Sequence, residues 1–263
     1  MSDRSVWRFI VPATAWAVLI FLLLPSLIVL PIAFGNRSAI VFPPTAFGLD
    51  MFRRFFTEPG WIAAAWMSVR VGCWVTLLAL LLGVPAAYGI ARGRFAGKRL
   101  LTLLLLAPIL VPGVVIALGL YIYFSYIGLH DGELRLVLGH TVVTMPFVIV
   151  TSLAALRQVD PAIETAATIM GAGRLTVLRR VTLPLIRPSV AASGLFAFLL
   201  SFDEVVISWF IAQPDSTTLP VKMFASIQFD VSAVLAAIAT MLTTFSTLVC
   251  IAVTLLRRTE QTP

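Results

Sequence analysis

Long runs of apolar residues constrain this chain more than any other feature of its sequence. The segment from Val11 to Phe34 contains no charged side chain, and five later segments are predominantly apolar. A bilayer core of about 30 Å requires roughly 20 apolar residues per helix. Six segments meet that requirement, at about 11–34, 68–91, 100–127, 136–156, 188–211 and 233–256. The sequence therefore predicts an all-α polytopic membrane protein with six transmembrane helices.

The composition excludes the main soluble alternatives. Apolar and aromatic residues (AVILMFWYC) make up 60% of the 263 residues, and charged residues make up 12%. Soluble domains usually carry about 25% charged residues. So little polar surface cannot solvate a compact globule of this length. A soluble enzyme, a disordered chain and a small disulfide scaffold are therefore excluded.

The distribution of basic residues predicts the orientation of the chain. Thirteen of the 19 Lys and Arg residues fall in the N-terminus, the loops 92–99 and 157–187, and the C-terminus. Cytoplasmic loops carry the positive excess, so we expect a multi-pass protein of the cell inner membrane with both termini cytoplasmic. The predicted layout is an N-terminus at 1–10, one transmembrane domain at 11–256 and a tail at 257–263. Topology explains the basic excess, so no nucleic-acid partner is expected.

The cytoplasmic loop 157–187 contains the clearest functional motif. Asp160 and Pro161 predict a helix start, with Asp as the N-cap and Pro at the first helical position. Gly171 predicts the end of that helix, and a second short helix is expected at 174–181. A short helix with a small apolar face, held by basic residues at a membrane surface, suits a groove on another protein. A plain amphipathic connector lying on lipid headgroups is the alternative.

This loop resembles the EAA signature of the permease subunits of ABC-type importers. The residues that match at the signature's spacing are Ala166, Ala167, Gly171, Leu183 and Pro184. The signature's leading Glu is replaced by Thr165, and Glu164 lies one position earlier. The side chains of Glu164 and Thr165 point about 100° apart on a helix.

The resemblance implies a coupling helix between helices 4 and 5 that docks on an ATP-hydrolysing subunit. The coupling residues are then Glu164 and Thr165 together with the five that match the signature. The implied partners are a dimer of ATP-binding subunits, a second permease subunit and an extracytoplasmic solute-binding protein. ATP and Mg²⁺ are expected on the ATPase, so no cofactor is expected in this chain.

Two further stretches resemble the polyamine-type branch of these permeases. One is Gly139-His140-Thr141 with Pro146-Phe147, and the other is 201–208 followed by 218–224. The branch takes up putrescine and spermidine, and its relatives carry opines and other small solutes. The resemblance implies a path for a small cationic solute, with a polyamine as the expected substrate and an opine or amino-acid-like solute as the alternative.

The sequence carries no hydrolytic constellation and no nucleotide-binding motif. The chain is therefore expected to be a transport subunit and not an enzyme, with no catalytic and no metal-binding residues.

An adjacent acidic pair, Asp203 and Glu204, lies inside the fifth apolar segment. An intramembrane carboxylate costs about 2.5–3.5 kcal/mol on insertion scales and normally faces water or protein. On a continuous helix Glu204 shares a face with Ser201 and Ser208, and Asp203 shares a face with apolar residues. We therefore expect Glu204 to offer a negative site to a cationic solute and Asp203 to find a hydrogen-bond partner on a neighbouring helix. The alternative is that both carboxylates hold helices or subunits together.

Other polar residues in the apolar segments have two interpretations. Thr144 in helix 4 and Thr243 in helix 6 either line the path or form hydrogen bonds between helices. His140 is expected to be packed and hydrogen-bonded rather than a proton relay. Pro108 and Pro112 predict a bend in helix 3. A small secondary transporter surrounded by membrane lipid is the more distant functional alternative.

Overall fold

The computed structural model describes residues 3–36, 40–229 and 232–259, with side chains over 10–36, 40–229 and 232–248. The side chains predicted for the cytoplasmic ends, below residue 10 and from 257 to 263, lie outside the described residues. Within the described ranges the chain is helical apart from loops, and Gly35 and Phe47 form an isolated antiparallel bridge. The prediction of an all-helical protein is confirmed for this part of the chain.

The described helices follow one another with few long loops. They are α1 (Asp3–Ala33), α2 (Asp50–Thr57), α3 (Trp61–Arg92), α4 (Lys98–Leu106), α5 (Gly113–Tyr126), α6 (Gly132–Gln158), α7 (Pro161–Ile169), α8 (Arg174–Val177), α9 (Leu183–Phe202), α10 (Val206–Ile211), α11 (Leu219–Phe229) and α12 (Val234–Thr259). A 3₁₀ turn, Ala107–Ile109, follows α4, and a π-helical segment, Leu178–Thr182, joins α8 to α9.

Four of these stretches are long and apolar enough to cross a membrane, namely Ile10–Ala33, Trp61–Arg92, Gly132–Gln158 and Arg174–Phe202. The predicted third span is a bent pair, in which Lys98–Ile109 and Gly113–Tyr126 meet at 101°. The bend coincides with Pro108 and Pro112, as predicted, because proline removes a helical hydrogen bond. The described residues thus contain four spans, or five with the bent pair, and the shorter apolar helix Val234–Leu248 marks the place of the predicted sixth.

The predicted fifth span, 188–211, is wrong at both ends. The helix begins at Arg174, because the π-helical segment continues α8 directly into α9. The wider π turn lies just before Pro184, whose ring cannot donate a hydrogen bond to the preceding turn. At the other end α9 stops at Phe202, and residues 203–205 separate it from α10. The single helix expected to carry the acidic pair is therefore broken at that pair.

The chain divides into two compact units. The central unit, residues 63–224, contains helices α4 to α10 entirely, most of α3 and the first part of α11. One part of its apolar core joins α3, α5, α6 and α10 through Val75, Ala117, Leu136, Ile207 and Ile211. A second part joins α3, α6 and α9 through Ala87, Ile149, Leu156 and Ile186. This core determines where the ends of α3, α6 and α9 lie.

The terminal unit comprises residues 1–62 and 225–263. Its helix α12 contacts both α1 and α2. Met51 and Phe55 of α2 are buried, and the ring of Phe52 lies 5.0 Å from that of Phe34. The side chains of residues 10–28 in α1 are exposed in the isolated chain, as expected for a surface covered by lipid or by another subunit.

Gly132 marks a close approach between α6 and the turn that follows α10. A Cβ at this position would overlap with Ser216 Oγ and would lie 2.8 Å from Gln213 Cβ. We expect Gly132→Ala to lower the free energy of unfolding by about 1–3 kcal/mol, because the turn must move aside. The measurement is the thermal unfolding midpoint of the purified protein. The control is Gly119→Ala in α5, where a Cβ meets no atom within 4 Å, and equal losses in both variants would contradict this packing argument.

Candidate functional site

The first candidate site is α7, the helix predicted to couple the chain to an ATPase. The Asp160 carboxylate accepts a hydrogen bond from the Ala162 backbone N–H at 2.9 Å, and Pro161 occupies the first helical position. The helix ends at Ile169, and Gly171 follows with a φ of +89°, in the left-handed region that favours glycine. The predicted start and end of this helix are therefore confirmed.

The two sides of α7 differ sharply in exposure. Thr165 and Ala166 are exposed, and the apolar side chains at the end of the helix project furthest, with Ile169 81% and Met170 88% exposed. Glu164 is 8% exposed and faces the other way. The two positions compared in the signature, 164 and 165, thus point to opposite environments, as their spacing on a helix requires.

Glu164 is held by two side chains from distant parts of the sequence. Its Oε2 accepts a hydrogen bond from Arg92 Nε at 2.9 Å, and its Oε1 accepts one from the Thr182 hydroxyl at 2.9 Å. Arg92 Nη2 also donates to the carbonyl oxygens of Leu156 and Val159, at 3.1 and 3.0 Å. The end of α3, the end of α6, the first turn of α7 and the π-helical segment therefore meet at this carboxylate.

The last two residues of the signature lie beyond this contact. Leu183 is half-buried and Pro184 is exposed, both in the first turn of α9. Ala167 is half-buried on α7. The signature residues therefore surround the loop from α7 to α9, and they do not converge on one point.

The second candidate site is the break between α9 and α10, which separates the predicted roles of the acidic pair. Asp203 is exposed, and its side chain has no hydrogen-bond partner among the residues that the structure describes. Glu204 is half-buried, and its Oε1 accepts a hydrogen bond from the Ile207 backbone N–H at 2.8 Å. Glu204 thus caps the first turn of α10. The neighbouring-helix partner expected for Asp203 is not found within the described part of this chain.

His140 joins the two helices on either side of that break. Its Nδ1 lies 2.9 Å from Ser201 Oγ in α9, and its Nε2 lies 2.8 Å from Ser208 Oγ in α10. All three side chains are buried, with His140 and Ser208 fully inaccessible. The prediction of a packed, hydrogen-bonded histidine is confirmed. Ser201 and Ser208, predicted to line a path, have their hydroxyl groups directed at this ring.

The two threonines predicted on the path lie in different units. Thr144 is buried in α6, where its hydroxyl donates to the His140 backbone carbonyl at 2.8 Å. Thr243 is exposed on α12 in the terminal unit. The described residues contain no group of three His, Cys, Asp or Glu side chains that could hold a metal ion.

Two residues at the α7 contact were missed by reasoning from the sequence. In the sequence Arg92 is only one of the basic residues that indicate orientation, and Thr182 is only one position of the stretch that resembles the signature. The sequence does contain one indication of this contact, Glu164 itself. A carboxylate that becomes buried when its helix packs against the protein needs a cationic partner. The 72-residue separation of Arg92 from Glu164 hid their contact.

Sequence comparison identifies relatives over most of the chain. Residues 79–260 match the family described as "Binding-protein-dependent transport system inner membrane component". The spermidine/putrescine transport system permease protein PotC of Escherichia coli (strain K12) is 31% identical over 242 residues, which are 92% of this chain and 91% of PotC. The putrescine transport system permease protein PotI of the same organism is 30% identical over 246 residues, covering 91% and 86%.

Solved structures match the fold. A chain of a bacterial ABC transporter involved in the import of the acidic polysaccharide alginate superposes with a TM-score of 0.74 at 11% identity, covering 98% of both chains. A chain of the alginate transporter in complex with its alginate pentasaccharide-bound periplasmic protein gives a TM-score of 0.67 at 21% identity, covering 99% and 96%. Because the sequences are only 11% and 21% identical, these matches establish the fold alone.

Proposed function

Because the chain belongs to the family of inner-membrane components of binding-protein-dependent transport systems, we propose that it forms the path for a polyamine such as spermidine or putrescine in an ATP-driven importer. Its relatives PotC and PotI are transport permeases, not enzymes. The proposal assigns this chain no hydrolytic step.

The observation that carries the substrate class is the kinship with two polyamine permeases, each at about 30% identity over nine-tenths of this chain. The exposed carboxylate at the break after α9 supports the same class, since an intramembrane acid facing a water-filled path attracts a cation. An opine or an amino-acid-like solute carried by the same architecture is the second candidate. A secondary transporter is disfavoured by the family match.

The proposed assembly contains two permease subunits, two ATP-binding subunits and a solute-binding protein outside the membrane. A periplasmic protein accompanies the structurally similar alginate transporter. In the proposed topology the chain crosses the inner membrane six times with both termini cytoplasmic, as the positive-inside bias requires. ATP and Mg²⁺ bind the partner ATPase, and α7 with its flanking signature residues docks on that subunit.

The geometry of the break supports roles for Asp203 and Glu204 that are the reverse of those expected from the sequence. Asp203 is exposed at the carbonyl end of α9, where the helix dipole also favours a cation. Glu204 is engaged in capping α10. We therefore assign solute contact first to Asp203 and a positioning role to Glu204. Ser201, Ser208 and Thr144 support this part of the path through His140, and Thr243, exposed on α12, stays a separate prediction.

The test is energised uptake of labelled spermidine by cells carrying this chain with its partner subunits. Unlabelled putrescine, opines, amino acids and sugars serve as competitors, and a chain lacking residues 160–184 serves as the uncoupled control. Saturable uptake that polyamines block, and that is lost with the loop, supports the proposal. Competition by another solute but not by polyamines would keep the importer and overturn the substrate.

Charge removal at the acidic pair gives a graded prediction. Asp203→Asn should raise the KM for spermidine about tenfold or more, because a charge-assisted hydrogen bond contributes about 1.5–3 kcal/mol. Glu204→Gln should raise it less than about threefold, since the amide oxygen can still accept from Ile207 N–H. The measurement is the concentration dependence of uptake in the two variants. A larger KM effect in Glu204→Gln would restore the sequence-based assignment.

A further inference from the structure

The contact of Arg92, Glu164 and Thr182, here called the Glu164 node, connects α7 to the body of the central unit. Each partner comes from a different element: Arg92 ends α3, Thr182 ends the π-helical segment, and Glu164 lies in the first turn of α7. Through Arg92 the node also includes the carbonyl oxygens of Leu156 and Val159 at the end of α6. The carboxylate thus joins α3 and the π-helical segment to α7 directly, and it joins the end of α6 to them through Arg92.

The charged side chains of the Glu164 node are largely withdrawn from solvent. The Glu164 side chain is 10% exposed and that of Arg92 21% exposed. A carboxylate withdrawn from water is tolerated when it is paired and hydrogen-bonded, and removing one partner leaves the other charge uncompensated. Arg92 also occupies carbonyls at the C-terminal end of α6, where the helix dipole favours a cation. A displacement of Glu164 away from both partners therefore breaks the ion pair with Arg92 and the hydrogen bond with Thr182.

The same helix presents its other side outward. Thr165 is exposed beside Glu164, and Ile169 and Met170 project from the end of α7. A partner subunit can therefore contact α7 without disturbing the node. The buried side of α7 is bonded to the ends of the spans. A partner that moves α7 from its exposed side therefore also moves those ends.

We propose that Glu164 is a positioning residue that transmits movement of α7 to the ends of α3, α6 and α9. This inference rests on the proposed function, in which an ATPase moves α7. When the ATPase displaces α7, the Glu164 carboxylate carries the Arg92 guanidinium with it, and Arg92 carries the end of α6. Thr182 carries the start of α9 in the same way. In a variant that lacks the node, ATP hydrolysis still moves α7, but the ends of α3, α6 and α9 are displaced less.

The test uses the complete importer in proteoliposomes, with uptake and ATP hydrolysis measured on the same sample. Glu164→Gln keeps the shape and the Thr182 hydrogen bond but removes the charge that Arg92 requires. We expect about a tenfold fall in solute taken up per ATP hydrolysed, with stimulated ATP hydrolysis within about twofold of the unaltered chain. Thr182→Val removes one hydrogen bond to the Glu164 carboxylate, leaves the ion pair with Arg92 in place, and should lower the same ratio about threefold. It serves as the second variant if Glu164→Gln yields little folded protein.

The matched control is Glu133→Gln, which breaks another ion pair between an arginine of α3 and a glutamate of the central unit. Glu133, in the first turn of α6, pairs with Arg70, and this pair has no part in the loop from α7 to α9. The ratio of uptake to hydrolysis in Glu133→Gln should stay within about twofold of the unaltered chain. An unchanged ratio in Glu164→Gln and Thr182→Val, or an equal fall in Glu133→Gln, would overturn the inference.

Co-purification of the ATPase with the unaltered chain tests the proposed function separately. If no ATPase binds the unaltered chain, the proposed function fails before any variant is compared. If it binds and the variants retain the full ratio, only the role of the node fails.

Discussion

Replacing Ile169 and Met170 together by aspartate should abolish co-purification of the ATP-binding subunit with this chain. Both side chains are more than four-fifths exposed at the end of α7, and large apolar groups exposed on a short helix suit insertion into a groove. Central apolar anchors commonly contribute about 2 kcal/mol or more each to an interface. The double replacement should therefore weaken binding by about a hundredfold or more. The measurement is the amount of ATPase retained on tagged permease after detergent extraction.

The matched control for this variant is Phe47→Asp. Phe47 is 72% exposed and precedes α2 in a loop that the proposed topology places on the other side of the membrane. It should leave ATPase retention unchanged, and both variants should keep the thermal unfolding midpoint of the permease. Full retention of ATPase by the double variant would show that α7 does not provide the docking surface.

His140→Leu should produce the largest loss of stability in the central unit. The replacement leaves the hydroxyls of Ser201 and Ser208 buried without the ring that joins them. Each unsatisfied buried group costs about 1–3 kcal/mol, so the expected total of about 2–6 kcal/mol corresponds to a fall of roughly 4–24 °C in the unfolding midpoint. The measurement is thermal unfolding of the purified protein in detergent.

A triple variant distinguishes lost hydrogen bonds from lost packing. Replacing His140 by leucine together with Ser201→Ala and Ser208→Ala removes the unsatisfied hydroxyls, and paired removal of polar partners is often close to neutral. The triple variant should therefore recover at least half of the stability lost in His140→Leu. Failure to recover any would mean that the shape of the imidazole ring, and not its two hydrogen bonds, joins α9 to α10.

Much of the fold was accessible from the sequence because its signals are local. Hydropathy located the apolar helices, and the Asp160-Pro161 pair predicted the start of α7 through capping chemistry that involves neighbouring residues only. Pro108 and Pro112 predicted the bend between α4 and α5, although hydropathy could not show that it reaches 101°. The family resemblance rested on residues at fixed spacing in one loop, and the comparison over the whole chain agrees with it.

The remainder depended on contacts that hydropathy does not report. The break at Asp203–Val205 looked like continuous helix because Val205, Val206 and Ile207 are as apolar as the residues before it. What ends the helix there is a Glu204 side chain that captures a backbone N–H. The Glu164 node needs Arg92, which is 72 residues away, and no local pattern pairs two such positions. A local capping contact therefore decides the role of Glu204, and a tertiary contact decides that of Glu164.

On the path proposed above, the break between α9 and α10 also shortens the distance over which a cation crosses a poorly solvating medium. An interrupted helix frees backbone carbonyl groups, and hydrocarbon cannot hydrate them. Protein or water must do so, and the exposed Asp203 carboxylate at the same level favours water. Water at this depth thins the low-dielectric layer, and the electrostatic self-energy of a charged solute falls along that stretch. If the solute passes Asp203 as proposed, the geometry of the backbone at this break locally lowers the barrier to permeation.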